Sequence, residues 1–151
     1  MIKSLAILIF LSVSAFAGEA LGVKYDQLYL VRLKVTKKYI EPKDLRVTDG
    51  KQPAVALETF KVDDRWSKRI DNIFSVDADY DNGTADSRIQ LYSLVFYKGG
   101  KVVLTITPNL LGSDLYASNK EGYHSLSGEQ MDKFLQTVYF IMGRCENSKL
   151  P

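Results

Sequence analysis

Two apolar segments joined by Gly99-Gly100 are the feature that most constrains the fold of this chain. The stretch reads RIQLYSLVFYKGGKVVLTITP, residues 88–108, and both arms are rich in β-branched and aromatic residues. A two-residue hairpin turn requires positive φ angles, which glycine adopts without a steric penalty. The sequence therefore predicts an antiparallel hairpin in this stretch.

The turn also predicts how the two arms pair. Counting outward from the glycines places Tyr97 opposite Val102 and Phe96 opposite Val103. Because side chains alternate between the two faces of a strand, the more apolar face would carry Ile89, Leu91, Val95, Val102, Leu104 and Ile106. We expect that face to meet the core, and the opposite face to be covered by a helix, a loop or a partner.

Near the carboxyl end, SLSGEQMDKFLQTVYFIMG predicts a helix with both ends marked. Ser127 can act as the N-cap, Gln130 completes a capping box, and Gly143 is expected to end the helix. Apolar residues recur at helical spacing and define one stripe: Met131, Phe134, Leu135, Val138, Ile141 and Met142. We expect this stripe to pack on the sheet.

A second, shorter helix is predicted by DDRWSKRIDNIF, in which Asp63 or Asp64 can cap the first turn and apolar residues from Trp66 onward share one stripe. Upstream, YLVRLKVTK alternates with a period of two and predicts a strand with a basic outer face, typical of a solvated sheet edge. AVALETF could be a strand or a helical turn. The fold class predicted is α+β: a mostly antiparallel sheet (meander) of four or five strands, with the C-terminal helix packed on one face and a second short helix.

The amino terminus is typical of a secretory signal peptide. Lys3 precedes an apolar run, and Ala15-Phe16-Ala17 offers small residues for signal peptidase. The run is shorter than the ~20 residues that a membrane span needs. We expect residues 1–17 to be removed and 18–151 to form a single α+β domain, secreted or periplasmic, without stable membrane insertion.

Charge and cysteine content narrow the possible partners. The chain has 20 Lys and Arg against 18 Asp and Glu, and Lys3 lies in the predicted leader, so the formal charge of the remainder is close to zero. Nucleic acid is therefore not an expected partner. Cys145 is the only cysteine, so no internal disulfide can form, and an intermolecular one is left open.

An acidic segment, VDADYDNGTADSR at residues 76–88, spaces aspartates two apart. An EF-hand loop counted from Asp77 requires Gly at its sixth position and a bidentate Glu at its twelfth. Those positions hold Asn82 and Arg88, so we expect the tip of a β-hairpin and no metal site. Asn82 also begins an N-glycosylation sequon, which matters only in a host that glycosylates secreted proteins.

His124 is the only histidine, which restricts catalytic chemistry. Sites that need two histidines are excluded, and a serine hydrolase using His124 would lack the G-x-S-x-G turn. Pairing of His124 with Cys145 is possible but has no predicted positive pocket to activate the thiol. A small hydrolase using His124 is therefore the third hypothesis, and no cofactor is expected.

Residues 108–126 form a long connection between a strand and a helix, and such loops are often functional. Their mixture of tyrosine and small polar residues suits a binding loop. We expect Tyr116, Tyr123 and His124 to be exposed there and to contact a partner.

Because no catalytic motif is present, the leading hypothesis is a non-enzymatic binding protein that captures or inhibits another protein, of the inhibitor or immunity type. The alternative is a carrier of a small apolar ligand held between sheet and helix, with Tyr92, Phe96 and the helix stripe around a cavity.

Overall fold

A computed structural model describes residues 18–34, 56–75, 91–108, 114–119 and 123–151, with the backbone alone for 114 and 123–125. The elements in these ranges are, in chain order, β1 Gly18–Ala20, β2 Val23–Tyr25, β3 Gln27–Leu33, β4 Ala56–Lys61, α1 Asp64–Ile73, β5 Tyr92–Lys98, β6 Lys101–Pro108, β7 Asp114–Ala117, β8 Tyr123–Ser125 and α2 Gly128–Arg144. The predicted leader, residues 1–17, and the acidic segment with its sequon at Asn82 lie outside the described residues.

One antiparallel sheet contains six of these strands in the order β4-β3-β5-β6-β7-β8, and β1 and β2 form a separate hairpin. Strands β5 to β8 form a meander. Strand β4 is an edge strand beside β3, and β5 lies on the other side of β3. The connection from β4 to β5 therefore crosses over β3, and it contains α1. The predicted α+β class, with a mostly antiparallel sheet and two helices, is confirmed.

The sheet has more strands than expected, because residues 108–126 are not a plain loop. They contain β7 and β8, which pair antiparallel and extend the sheet beyond β6. A connection of that length without secondary structure is uncommon in a compact domain. The strands were missed because they are only four and three residues long.

The register of the β5–β6 hairpin also differs from the prediction. Tyr97 pairs with Val102 as expected, but Phe96 pairs with Leu104, so Val103 is an extra residue on β6, a β-bulge. Side chains alternate between the two faces of a strand, so one extra residue on β6 changes which face of β5 each later residue of β6 shares. The hairpin residues that meet the core are therefore Leu94, Phe96, Leu104 and Ile106.

Strand β3 is an interior strand, since β4 and β5 flank it, and apolar clusters bury residues on both of its faces. The prediction of a solvated edge strand was wrong. Leu28 and Leu30 belong to the core beneath the helices, while Val31 belongs to a second cluster on the opposite face. That second cluster consists of Tyr29, Val31, Leu33, Val95 and Tyr97, with Val102 and Leu150 packed against it. Val95, expected in the main core, lies there instead.

Both helices begin where their sequence predicts. Asp63 caps α1 by accepting from the backbone N–H groups of Arg65 and Trp66. Ser127 and Gln130 form the predicted reciprocal capping box on α2. The expected stop at Gly143 was wrong, because α2 continues to Arg144 and is capped at Cys145.

Replacing Gly143 with alanine tests this helix end. An added Cβ would meet no atom within 4 Å, so Gly143→Ala should raise the free energy of unfolding by about 0.5 kcal/mol, since alanine is the better helix former. Gly100→Ala is the matched control, because Gly100 has a φ of 75° and alanine is strained there. Urea denaturation measures both, and a loss of stability in Gly143→Ala would indicate a left-handed glycine stop.

Candidate functional site

Two of the three exposed large apolar side chains in the described part of the chain are neighbours on α2. Tyr139 is 77% exposed and Phe140 is 41% exposed. Both fall outside the buried stripe of the helix, which includes Phe134, Val138 and Ile141, because each residue turns the helix by about 100°. The outer face of α2 therefore presents aromatic surface to solvent.

Phe140 lies on Trp66 of α1. The ring centroids are 5.0 Å apart and the ring planes differ by 8°, which is a parallel stack between the two helices. Trp66 is buried, so Phe140 is part of what covers the indole. The guanidinium of Arg65 lies 5.0 Å from the Trp66 ring centroid, and that of Arg144 lies 5.7 Å from the Phe140 ring centroid. These four residues are called the Arg–aromatic cluster below.

The cluster contains residue types that are common in protein interfaces. Tryptophan, tyrosine and arginine are the residues most enriched among those that carry binding energy in protein interfaces. Both guanidinium groups lie within the ~6 Å at which a cation is attracted to an aromatic face. Arg69 also donates to the side-chain oxygen of Gln136 at 3.5 Å, a further contact between α1 and α2. The two rings are thus held in place by contacts between the helices.

A groove with a volume of about 580 Å³ adjoins the cluster where β4, α1 and α2 meet. It is lined by Lys61, Val62, Asp63, Asp64, Arg65, Arg144, Cys145 and Glu146. Basic and acidic side chains are equally represented in this lining, so the groove offers no strong net attraction to a small ion.

Cys145 lies in this groove, partly buried, with its Sγ 4.0 Å from Oδ2 of Asp63. Burial raises the pKa of the thiol, and the Asp63 carboxylate raises it further by repulsion, while a backbone hydrogen bond at Asp63 opposes both. A thiol that stays protonated at neutral pH is a weak nucleophile. The surroundings of Cys145 therefore do not activate it.

The predicted site residues Tyr116, Tyr123 and His124 all lie on the β7–β8 hairpin. Tyr116 pairs with Tyr123, and Leu115, which is buried in the core, pairs with His124. Tyr116 is only partly exposed. The side chains of Tyr123 and His124 lie outside the described atoms, so their part in a contact surface stays a prediction.

This hairpin and the Arg–aromatic cluster lie toward opposite ends of α2. The helix begins just after β8, and Glu146, just beyond its end, accepts from the backbone N–H of Lys61 on β4. A helix of 17 residues spans roughly 25 Å. His124 and Cys145 therefore cannot form the catalytic pair considered above, since such a pair requires a direct hydrogen bond.

Aromatic rings pack against one another in the region between the sheet and the helices, where the carrier hypothesis expects a cavity. Phe96 is fully buried and meets Tyr25 edge to face at 4.9 Å. Phe74 and Phe134 meet in the same way at 5.9 Å. This packing favours a closed core between the sheet and the helices.

Among the described residues, no group of three or more His, Cys, Asp or Glu side chains could hold a metal ion. None of the helices in the described ranges has the length and apolar character needed to cross a membrane. Comparison with known proteins found no matching family model, and no curated protein or solved structure with significant similarity. The function is therefore argued from the residues of this chain.

Sequence reasoning missed the Arg–aromatic cluster. Tyr139 and Phe140 are adjacent aromatic residues outside the predicted apolar stripe, and that is a signal a sequence contains. The stack on Trp66 could not be predicted, because it depends on how α1 packs against α2.

Alanine substitutions separate the stacked ring from the exposed one. Phe140→Ala should lower the free energy of unfolding by about 1–2 kcal/mol, because it removes the stack and uncovers the indole of Trp66. Tyr139→Ala should change it by less than about 0.5 kcal/mol, as expected for an exposed side chain. Urea denaturation followed by the fluorescence of Trp66, the only tryptophan, measures both. Equal losses in the two variants would contradict the stack.

Alkylation of Cys145 tests the state of its thiol. In the folded protein the rate should rise with pH through a midpoint above the ordinary thiol pKa, because burial and Asp63 disfavour the thiolate. Asp63→Asn should lower that midpoint, since it removes the repulsion while asparagine still caps α1. Protein unfolded in urea is the control and should titrate as a free cysteine. A folded-state midpoint at or below the control value would show an activated thiol.

Proposed function

We propose that this chain is an exported, non-enzymatic binding protein that captures or inhibits another protein in the periplasm or extracellular space. The observation that supports the proposal is the Arg–aromatic cluster, with the exposed Tyr139 beside it on α2. Tyr139 and Phe140 lie outside the main core, which includes the Trp66 ring beneath Phe140. Exposed aromatic and arginine side chains of this kind are common in recognition surfaces.

The energetics of the cluster suit a partner that covers it. Exposed aromatic surface contributes roughly 25 cal/mol per Å² when it is removed from water. Phe140 is held against Trp66, so little side-chain freedom is lost when a partner packs on it. A rigid, partly exposed ring of this kind can anchor the centre of an interface.

Charge defines the partner further. Arg65 and Arg144 each place a guanidinium against a ring, an arrangement in which the N–H groups at the edge can donate to carboxylates in pairs. We therefore propose a partner with an apolar centre bordered by Asp or Glu. Asp63, Asp64 and Glu146 line the adjoining groove together with the two arginines and Lys61. The partner's carboxylates should therefore lie against the guanidinium groups and away from these three acidic side chains, which would fix its orientation.

The β7–β8 hairpin remains the second proposed contact surface, through Tyr116, Tyr123 and His124. Its backbone register brings Tyr116 and Tyr123 together at the edge of the sheet. Since it lies toward the other end of α2 from the cluster, substitutions in one surface should leave the other intact.

Affinity capture from the native compartment, followed by mass spectrometry, identifies the partner, and titration of the purified pair then compares the two surfaces. Tyr139→Ala and Arg144→Glu should each weaken binding at least about tenfold, as expected for residues that dominate an interface. Arg144→Lys should have an intermediate effect, because lysine keeps the charge but cannot donate as a planar fork.

Combined Tyr116→Ala and Tyr123→Ala tests the hairpin surface in the same titration. Lys149→Ala, an exposed residue in the C-terminal tail, is the control and should bind as the unmodified protein does. Affinity that survives all the substitutions on both surfaces would remove both from consideration, and turnover of a substrate that requires His124 would contradict the non-enzymatic proposal.

A further inference from the structure

The β1–β2 hairpin brings Gly18 against a carboxylate of α1. The hydroxyl of Tyr25 donates to Oδ1 of Asp71 at 2.7 Å, and Tyr25 is itself almost wholly buried. A Cβ added at Gly18 would overlap Oδ2 of Asp71 and the Tyr25 hydroxyl, and would lie 2.7 Å from Cζ of Tyr25. The backbone of Gly18 therefore lies directly beside the second carboxylate oxygen, in a space that accepts no side chain.

Asp71 is placed in surroundings that disfavour a negative charge. Burial raises the pKa of its carboxyl, hydrogen bonds from the Tyr25 hydroxyl and the Glu19 backbone lower it, and the charge of Glu19 raises it. Burial also raises the pKa of Tyr25, as do its hydrogen bond to Asp71 and the charges of Asp71 and Asp64. None of the described groups that shift the pKa of Asp71 is a cation.

The position of Gly18 is fixed by the hairpin that carries it. Leu21 and Gly22 form the turn with φ angles of 48° and 77°, and a leucine in the left-handed region is strained. The backbone N–H of Leu21 donates to the carbonyl of Phe74 at 3.2 Å, and Ala20 is fully buried in the core. Because the turn and the core both hold β1, the start of the strand is kept beside α1.

We propose that Asp71 is the docking site for the chain's own amino terminus, which forms when the peptide bond between Ala17 and Gly18 is hydrolysed. Water adds across that bond, so Ala17 leaves with a carboxylate and Gly18 keeps an amine, which takes up a proton. The resulting ammonium of Gly18 pairs with the Asp71 carboxylate beside the Tyr25 hydroxyl. This inference rests on the proposed export, since signal peptidase supplies the cleavage.

One feature of the sequence and one of the structure support this docking. A glycine directly after the predicted cleavage site is small enough for the space between Asp71 and Tyr25. An ammonium at Gly18 would place a positive charge directly beside a carboxylate whose pKa burial raises. The processed chain should then be more stable than one whose amino group lies elsewhere, because the ion pair would hold β1, whose Ala20 is buried in the core, against α1.

The pKa of the Gly18 amino group measures the ion pair directly. The exported protein, produced from the full chain, is first checked by intact mass to begin at Gly18. The ¹³Cα chemical shift of Gly18 is then followed with pH, and the ion pair predicts an amino pKa of about 9 or higher, against an ordinary value of about 7.7–8.0. Other charged residues near the site are Glu19, Asp64 and Lys24, the last of which lies opposite Glu19 on β2. They are the same in every variant compared below.

Two variants show whether Asp71 is responsible. Asp71→Asn should return the amino pKa to its ordinary value, whereas Asp132→Asn, on the exposed face of α2, should leave it raised. Stability gained from a raised amino pKa is fully present below the ordinary value and is lost as pH rises through the folded value. The thermal midpoint of the processed protein should therefore exceed that of Asp71→Asn at pH 7, with the difference shrinking at high pH.

A third form keeps Asp71 and displaces the amine. One alanine inserted between Ala17 and Gly18, with processing after Ala17 checked by mass, should give an ordinary amino pKa and a lower thermal midpoint. Capture of the partner through the Arg–aromatic cluster should be equal in both forms, so failure here is distinguishable from failure of the proposed function. An exported chain that begins elsewhere, or an ordinary amino pKa in the unmodified processed protein, would overturn the proposal.

Discussion

A single extra residue on β6, Val103, determines which side chains of the sheet become the core. Beyond this bulge Phe96 lies opposite Leu104 and Leu94 opposite Ile106, and all four belong to the core cluster that includes residues of both helices. In a regular hairpin that kept Leu104 and Ile106 in the core, Leu94 and Phe96 would lie on the opposite face of the sheet, because side chains alternate between the two faces of a strand. Phe96 would then not meet the ring of Tyr25, and the β1–β2 hairpin would lose one of its contacts with the sheet.

The surface of the molecule follows from this core. Helix α2 turns Phe134, Val138 and Ile141 toward the sheet, so Tyr139 and Phe140 are left on its outer side. Helix α1 packs alongside and supplies Trp66 beneath Phe140. The proposed binding surface is thus a consequence of how the two helices pack, and it rests on Trp66, a residue of the main core.

The sequence was sufficient to predict helix caps and the hairpin turn, because these features depend on residues close together in the chain. The caps at Asp63 and Ser127 and the turn at Gly99-Gly100 depend on residues within a few positions of each other. The bulge could not be predicted, because Val103 is chemically similar to its neighbours and its place depends on pairing across the sheet. The candidate site was predicted only at the β7–β8 hairpin, since the contact between α1 and α2 that makes the cluster is a tertiary one.

Cross-strand nuclear Overhauser effects in the β5–β6 hairpin test the central claim most directly, because opposed residues of an antiparallel pair lie about 4.5–5.5 Å apart at Cα. The bulged register predicts backbone contacts of Phe96 with Leu104 and of Leu94 with Ile106. Contacts of Phe96 with Val103 and of Leu94 with Thr105 would show a regular hairpin, and would contradict both the core described here and the surface derived from it.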